Sequence, residues 1–248
     1  IKVDNLSKRF GNKIALEDIS FDIKEGEIFG FLGPSGAGKT TTINILTGQL
    51  SQDSGKAYIL NKESNRLLPS DFLNIGIMSD TVGFYGKMTV YKNLQFFAKY
   101  HNVSLDKLDV LLKELELFED KDKKAEKLST GMKQRMLLIR SILHHPKILF
   151  LDEPTSGLDP ALSNKVHDIL LNLKNEGTTI FLTTHDMSEA TKICDRISLL
   201  NSGHILEYGS PQEIIDKYSQ QDKAVIRFKN GDSIMVSQAE AARYLGGS

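Results

Sequence analysis

Cysteine occurs once in the 248 residues, as Cys194. A lone thiol excludes a disulfide framework and a cysteine-based zinc site. No apolar run approaches the roughly 20 residues that span a bilayer as a helix. No secretory leader pattern opens the chain, and the start at Ile1 suggests a trimmed N-terminus. Excess charge of one sign is missing too: 31 Lys plus Arg stand against 32 Asp plus Glu, a formal net charge of -1. That balance argues against nucleic acid as the main partner, since such proteins usually carry a basic excess. Internal repeats and low-complexity tracts are lacking as well. What is there, 40% hydrophobic and 25% charged residues, supplies a real core and excludes wholesale disorder. The expectation is a soluble, intracellular α/β protein, either one large domain or a core with a small insert.

Strand and helix patterns alternate along the chain. Residues 19–23 alternate apolar and polar as a half-buried strand does, and Glu25-Gly26 closes it. Residues 28–32 are apolar on both faces, which suits a strand inside a parallel sheet, and Thr40 to Leu46 reads as a helix. From Thr89 to Leu143 the pattern is mostly helical, with Leu108, Leu111, Leu112 and Leu115 at helical spacing, so an inserted helical subdomain is expected. Within it, 121–124 reads as a solvated loop, and His144-His145 as an exposed helix end without metal spacing. Strands return at 148–151 and 179–182, separated by a helix from about Pro160 to Lys174, which argues for crossover units and a parallel sheet. A short helix follows Pro211. Beyond it, 224–228 and 233–236 flank Asn230-Gly231 as a hairpin, and Ser237 with Glu240 caps a last helix.

Gly33-Pro34-Ser35-Gly36-Ala37-Gly38-Lys39-Thr40 fits G-x-x-x-x-G-K-[ST] between a buried strand and a helix. A random chain of this length shows that pattern about once in a hundred. Its glycines let successive backbone N–H groups turn onto phosphates at the positive end of a helix. Lys39 reaches the β- and γ-phosphates and the Thr40 hydroxyl serves Mg²⁺ in such a loop. Asn61-Lys62-Glu63-Ser64 lacks the Asp of a guanine-reading N-K-x-D, so ATP is preferred over GTP.

A second element is acidic. The apolar run 148–151 leads into Asp152-Glu153, at the sheet edge where α/β proteins bind ligands. Asp152 is placed to hold Mg²⁺, and Glu153 to polarise an attacking water as general base. His185 ends another buried strand aimed at the same edge and is expected to contact the γ-phosphate. Cys194 is read as a core residue.

The run Leu128-Ser129-Thr130-Gly131-Met132-Lys133-Gln134-Arg135, together with the two nucleotide motifs, resembles the signature of ATP-binding cassette (ABC) ATPases. Phe10 resembles the aromatic residue that stacks on adenine. Residues 33–41, which add Thr41, resemble Walker A; 149–153 resemble Walker B; 156–159, ending in Asp159, resemble the D-loop; and His185 resembles the switch histidine. The resemblance implies an α/β, P-loop NTPase (RecA-like) fold. In that fold a mostly parallel sheet core carries an N-terminal antiparallel β subdomain and an α-helical subdomain inserted at about 86–145. It assigns 1–220 to the ATPase domain and 221–248 to a small hairpin-plus-helix appendage. It further implies that Ser129 and Gly131 face the γ-phosphate held by a second cassette, so that two ATP molecules are sandwiched in a head-to-tail dimer. The sequence departs from the signature at Thr130 and Met132. Asp80 takes the place of the Q-loop glutamine, where it offers oxygen to Mg²⁺.

The resemblance therefore implies the ATP-hydrolysing subunit of an ABC transporter, peripheral on the cytoplasmic face of the membrane and driving a separate permease. The stretch 83–94 resembles exporters of drugs and antimicrobial peptides, and the short C-terminal appendage argues against importers with a large regulatory domain there. Two rivals are a soluble ABC ATPase acting on ribosomes or DNA repair, and a regulatory module that binds ATP without hydrolysing it. Tandem cassettes or coiled-coil inserts would mark the first. Loss of Glu153 or His185 would mark the second. Neither feature is present.

Overall fold

The computed structural model describes residues 1–79, 83–221, 223–227 and 233–237. The chain opens with β1 (Lys2–Phe10), β2 (Lys13–Asp22), β3 (Ile28–Leu32) and α1 (Lys39–Leu46). Next come β4 (Ser54–Ile59), β5 (Lys62–Glu63) and β6 (Ile75–Met78), then α2 (Val90–Tyr100), α3 (Leu105–Glu114) and α4 (Thr130–Ile142). There follow β7 (Ile148–Asp152), α5 (Pro160–Asn175), β8 (Thr179–Thr184), α6 (Met187–Ile193), β9 (Arg196–Asn201), β10 (His204–Gly209) and α7 (Pro211–Gln221). The strands β11 (Lys223–Arg227) and β12 (Ser233–Ser237) form an antiparallel pair, as the hairpin pattern predicts. The turn between them and the helix expected from Ser237 and Glu240 lie outside the described residues.

Two larger sheets form. One is antiparallel, in the order β2-β1-β4-β5, and the other runs β10-β9-β3-β8-β7-β6. In the second sheet only β10 is antiparallel to its neighbour. The antiparallel sheet is not wholly N-terminal, because β4 and β5 reach it after α1. Strict alternation sorts the core. Phe29, Phe31, Phe150 and Phe181 face the antiparallel sheet and α1, whereas Ile28, Leu149, Leu151, Ile180 and Leu182 face the other helices. Phe181 lies among Phe21, Phe29, Phe31 and Phe150, with ring centroids 5.5 to 6.1 Å away. Each fully buried Phe contributes about 1.5–3 kcal/mol of hydrophobic stabilisation.

The helices between β6 and β7 form because Leu108, Leu112 and Leu115 bury one stripe completely. The charged run 121–124 is only partly a solvated loop. The carbonyls of Lys121 and Lys123 accept from Tyr91 and Val90, satisfying the first turn of α2, and Lys121 Nζ sits 3.8 Å from the Phe118 ring centroid. His144 is not exposed as its sequence context suggests. Its ring is partly buried and stacks on His101 at 3.9 Å, with Nε2 3.2 Å from the Ile75 carbonyl.

The parallel register decides the site. Leu32 pairs with Thr184, and Asp152 with Thr183. The segments after β3, β7 and β8 therefore leave the sheet at one level of its carboxyl edge.

Candidate functional site

Residues 33–38 join β3 to α1. Gly36 (φ +81°) and Gly38 (φ +118°) take left-handed backbone angles. A Cβ on Gly38 would stand 2.6 Å from the Ala15 carbonyl oxygen. Gly38 gives α1 no side-chain cap, and the first turn carries no acid, so the helix start is electropositive and suited to an anion. Lys39 is buried, and its Nζ donates to the carbonyls of Gly33 and Pro34 at 2.7 and 3.2 Å.

Both oxygens of Asp152 hold hydroxyls. Thr40 Oγ1 donates to Oδ2 at 2.7 Å and Thr183 Oγ1 to Oδ1 at 2.5 Å. Among the described residues no three His, Cys, Asp or Glu side chains gather as a metal cage. Hard oxygens from one hydroxyl and one carboxylate fit Mg²⁺, which takes few protein ligands and shares its shell with phosphates and water.

Glu153 has a left-handed backbone, φ +49°. Its N–H donates to the Thr183 carbonyl and hydroxyl, both at 3.1 Å, and its carbonyl accepts from Gln134 Nε2 at 3.0 Å. The carboxylate lies between two nitrogen groups, with Oε1 3.3 Å from Lys39 Nζ and Oε2 3.3 Å from His185 Nδ1. A carboxylate so held can orient a water, and the imidazole beside it can hand a proton to, or bond, a neighbouring oxygen.

Phe10, Lys13, Ser35, Gly36, Gly38, Lys39, Thr40, Thr41 and Glu153 line one cleft of about 220 Å³. The Phe10 ring is half exposed, with Lys8 Nζ 5.6 Å from its centroid. The fold thus brings the expected adenine-stacking residue to the phosphate loop. Ser129, Gly131 and Asp159 do not line that cleft. Ser129 caps α4 by accepting from Met132 N–H at 3.3 Å, and Asp159 caps α5 by accepting from Ala161 and Leu162 at 3.0 Å. A Cβ on Gly131 would meet the Gly157 carbonyl at 3.3 Å. Asp80 lies outside the described residues. Sequence reasoning missed Thr183 and Gln134. The threonines that follow the apolar residues of the buried strand β8 were the available signal for Thr183, and Gln134 had none of its own.

The ABC transporter family model matches residues 16–156. A fluoroquinolones export ATP-binding protein of Mycobacterium tuberculosis is 42% identical over 217 residues, which cover 86% of this chain and 72% of that protein. Nod factor export ATP-binding protein I of Bradyrhizobium diazoefficiens is 36% identical, over 88% of this chain and 72% of its own length. Among solved structures, the dimeric post-hydrolysis state of the cassette MJ0796 bound to ADP and Pi is 27% identical, with a TM-score of 0.76 over 85% of this chain and 98% of that one. The strand–loop–helix cradle, the acids at the sheet edge and these likenesses have one reading: the chain belongs to the ABC transporter family of ATP-binding proteins.

Proposed function

We propose that the chain binds ATP with Mg²⁺, hydrolyses it at a site completed by a second cassette, and so drives export through a separate membrane subunit. The observation that carries this reading is the Glu153 carboxylate between Lys39 and His185, beside a loop built for phosphates. Residues 33–41 cradle the triphosphate, with Lys39 on its terminal phosphates, and Phe10 stacks on adenine. Thr40 and Asp152, with Asp80, hold the metal, which when bound neutralises phosphate charge. Glu153 accepts a proton from the attacking water, and His185 bonds the γ-phosphate. Ser129, Gly131 and Asp159 serve the second cassette's nucleotide.

We take 1–220 as the ATPase unit, with helices inserted at about 86–145, and 221–248 as an appendage. Among the described residues no helix is long and apolar enough to cross a membrane. Relatives named as ATP-binding proteins of export systems support a pathway in a separate membrane subunit, with this chain peripheral on the cytoplasmic face. The fluoroquinolones export proteins among its relatives support a drug-like cargo; a peptide cargo rests on the resemblance of residues 83–94 alone. ATPase assays of the purified chain with Mg²⁺ and with EDTA test the reading. Hydrolysis is expected with Mg²⁺ only, and Glu153→Gln is expected to abolish turnover while ATP still binds. Turnover by Glu153→Gln at the wild-type rate would overturn it.

A further inference from the structure

Behind Glu153 and His185 lies a buried carboxylate that no motif accounts for. Glu189, on α6, is 4% exposed. Its Oε1 accepts from Thr155 Oγ1 at 2.7 Å and lies 3.1 Å from His167 Nε2. The Thr184 hydroxyl lies beside it. Burial by itself would push the Glu189 carboxyl up. The polar contacts with His167, Thr184 and Thr155 outweigh burial and hold it below its ordinary value. A carboxylate only accepts, so His167 donates through Nε2. The His167 ring, on α5, is buried, and its Nδ1 has no partner among the described residues, which leaves Nε2 as its link to the network.

The three partners belong to three segments. Thr155 stands two residues after Glu153, Thr184 immediately precedes His185, and His167 sits on α5, which Asp159 caps. Glu189, His167, Glu153 and His185 all line one polar cleft of about 360 Å³. The Thr155 bond ties the turn after Glu153 to α6, which begins two residues after His185.

We propose that Glu189, supported by His167, is a positioning residue for hydrolysis: its buried carboxylate pins the turn after Glu153 to α6, the helix that follows His185, and ties both to α5. The proposal rests on the roles given above to Glu153 and His185. Displacement of a reacting group by about 1 Å can cost 100-fold in rate, so a hinge at this point acts on turnover and leaves the nucleotide cradle intact.

The test compares Glu189→Leu, Glu189→Gln, Thr155→Val and Glu153→Gln in the full chain, by steady-state ATP hydrolysis, calorimetric ATP titration and thermal unfolding. Glu189→Leu is expected to lower kcat at least about ten-fold, with KM and ATP affinity within about two-fold of wild type. Glu189→Gln still accepts from the Thr155 hydroxyl and can donate to an imidazole nitrogen, so it is expected to recover most of the rate. Thr155→Val is expected to lower kcat and to add little in the Glu189→Leu background. Unchanged kcat in Glu189→Leu overturns the proposal. So does a joint loss of affinity and kcat that glutamine does not rescue. Should Glu189→Leu not fold, unchanged kcat in Thr155→Val overturns it instead. A fully active Glu153→Gln would sink the reading of Glu153, whereas an inactive Glu153→Gln beside a fully active Glu189→Leu would sink only the role of Glu189.

Discussion

The side-chain amide of Gln134 donates to the backbone carbonyl of Glu153 across 3.0 Å, from α4 to the turn that follows β7. That turn holds Glu153 at φ +49°, a conformation that costs an L-residue about 1–2 kcal/mol. Thr183 grips its N–H and Gln134 its carbonyl, and together they keep the carboxylate aimed at the cleft. Gln134→Ala should lose about 1 kcal/mol of stability and lower kcat, with the ATP affinity of the single chain unchanged. Urea denaturation and steady-state ATPase assays measure both. A variant of full activity would show that Thr183 suffices.

Glu153→Gln keeps the shape of the side chain and removes its basicity, so ATP should persist at the shared site. Sedimentation should find the wild-type chain mainly monomeric without ATP and the variant dimeric with ATP and Mg²⁺. A monomeric variant at saturating nucleotide would end the two-cassette model.

Binding and turnover should separate between Lys39 and Ser129. Lys39→Ala removes a buried cation from the phosphate loop and should weaken ATP binding at least about ten-fold. Ser129→Arg should leave the affinity of one chain nearly unchanged and abolish hydrolysis, because the proposed two-cassette site has that serine act on the partner's nucleotide. It also removes the α4 cap seen at Met132, at about 1 kcal/mol of stability. Equal losses of affinity in the two variants would refute the assignment of Ser129.

Stability should carry a histidine signature. Burial first, then the neighbouring His101 charge, lowers the His144 pKa from its ordinary 6.5 to about 4, although the bond to the Ile75 carbonyl acts the other way. Lys107 and His145 add to the lowering. The folded chain thus disfavours the protonated ring. The stability this contributes is fully present above about pH 6.5 and is lost as pH falls from there toward 4. Urea midpoints at about pH 7.5 and 5.5 should differ more for wild type than for His144→Gln, and equal differences would place the pH dependence elsewhere.

How much was readable depended on distance along the chain. Residues 33–40 and 148–153 declared themselves because a glycine turn, a helix start and a strand ending in acids are contiguous patterns. Leu108, Leu112 and Leu115 did so through helical period. The burial of His144 was not legible because it comes from a stacking partner distant along the chain, His101, which follows α2. The N-terminal antiparallel sheet was legible too, although that β4 joins β1 across the intervening helix was not.

By itself the sequence determined which short segments cradle phosphate, end in acids or form helices, since those properties reside in neighbouring residues and in periods of two and 3.6. Tertiary structure alone decided which of them meet. Thr40 reaches Asp152 across 112 positions, Phe10 turns to the loop at Lys39, and Glu189 gathers Thr155, Thr184 and His167 from three segments. The reason is physical: Thr40 meets Asp152 through the order β3-β8-β7 and its in-register parallel pairing, and Phe10 meets the loop through the packing of the antiparallel sheet on that one. Sheet order and packing are set by long-range contacts that no local pattern of residues encodes.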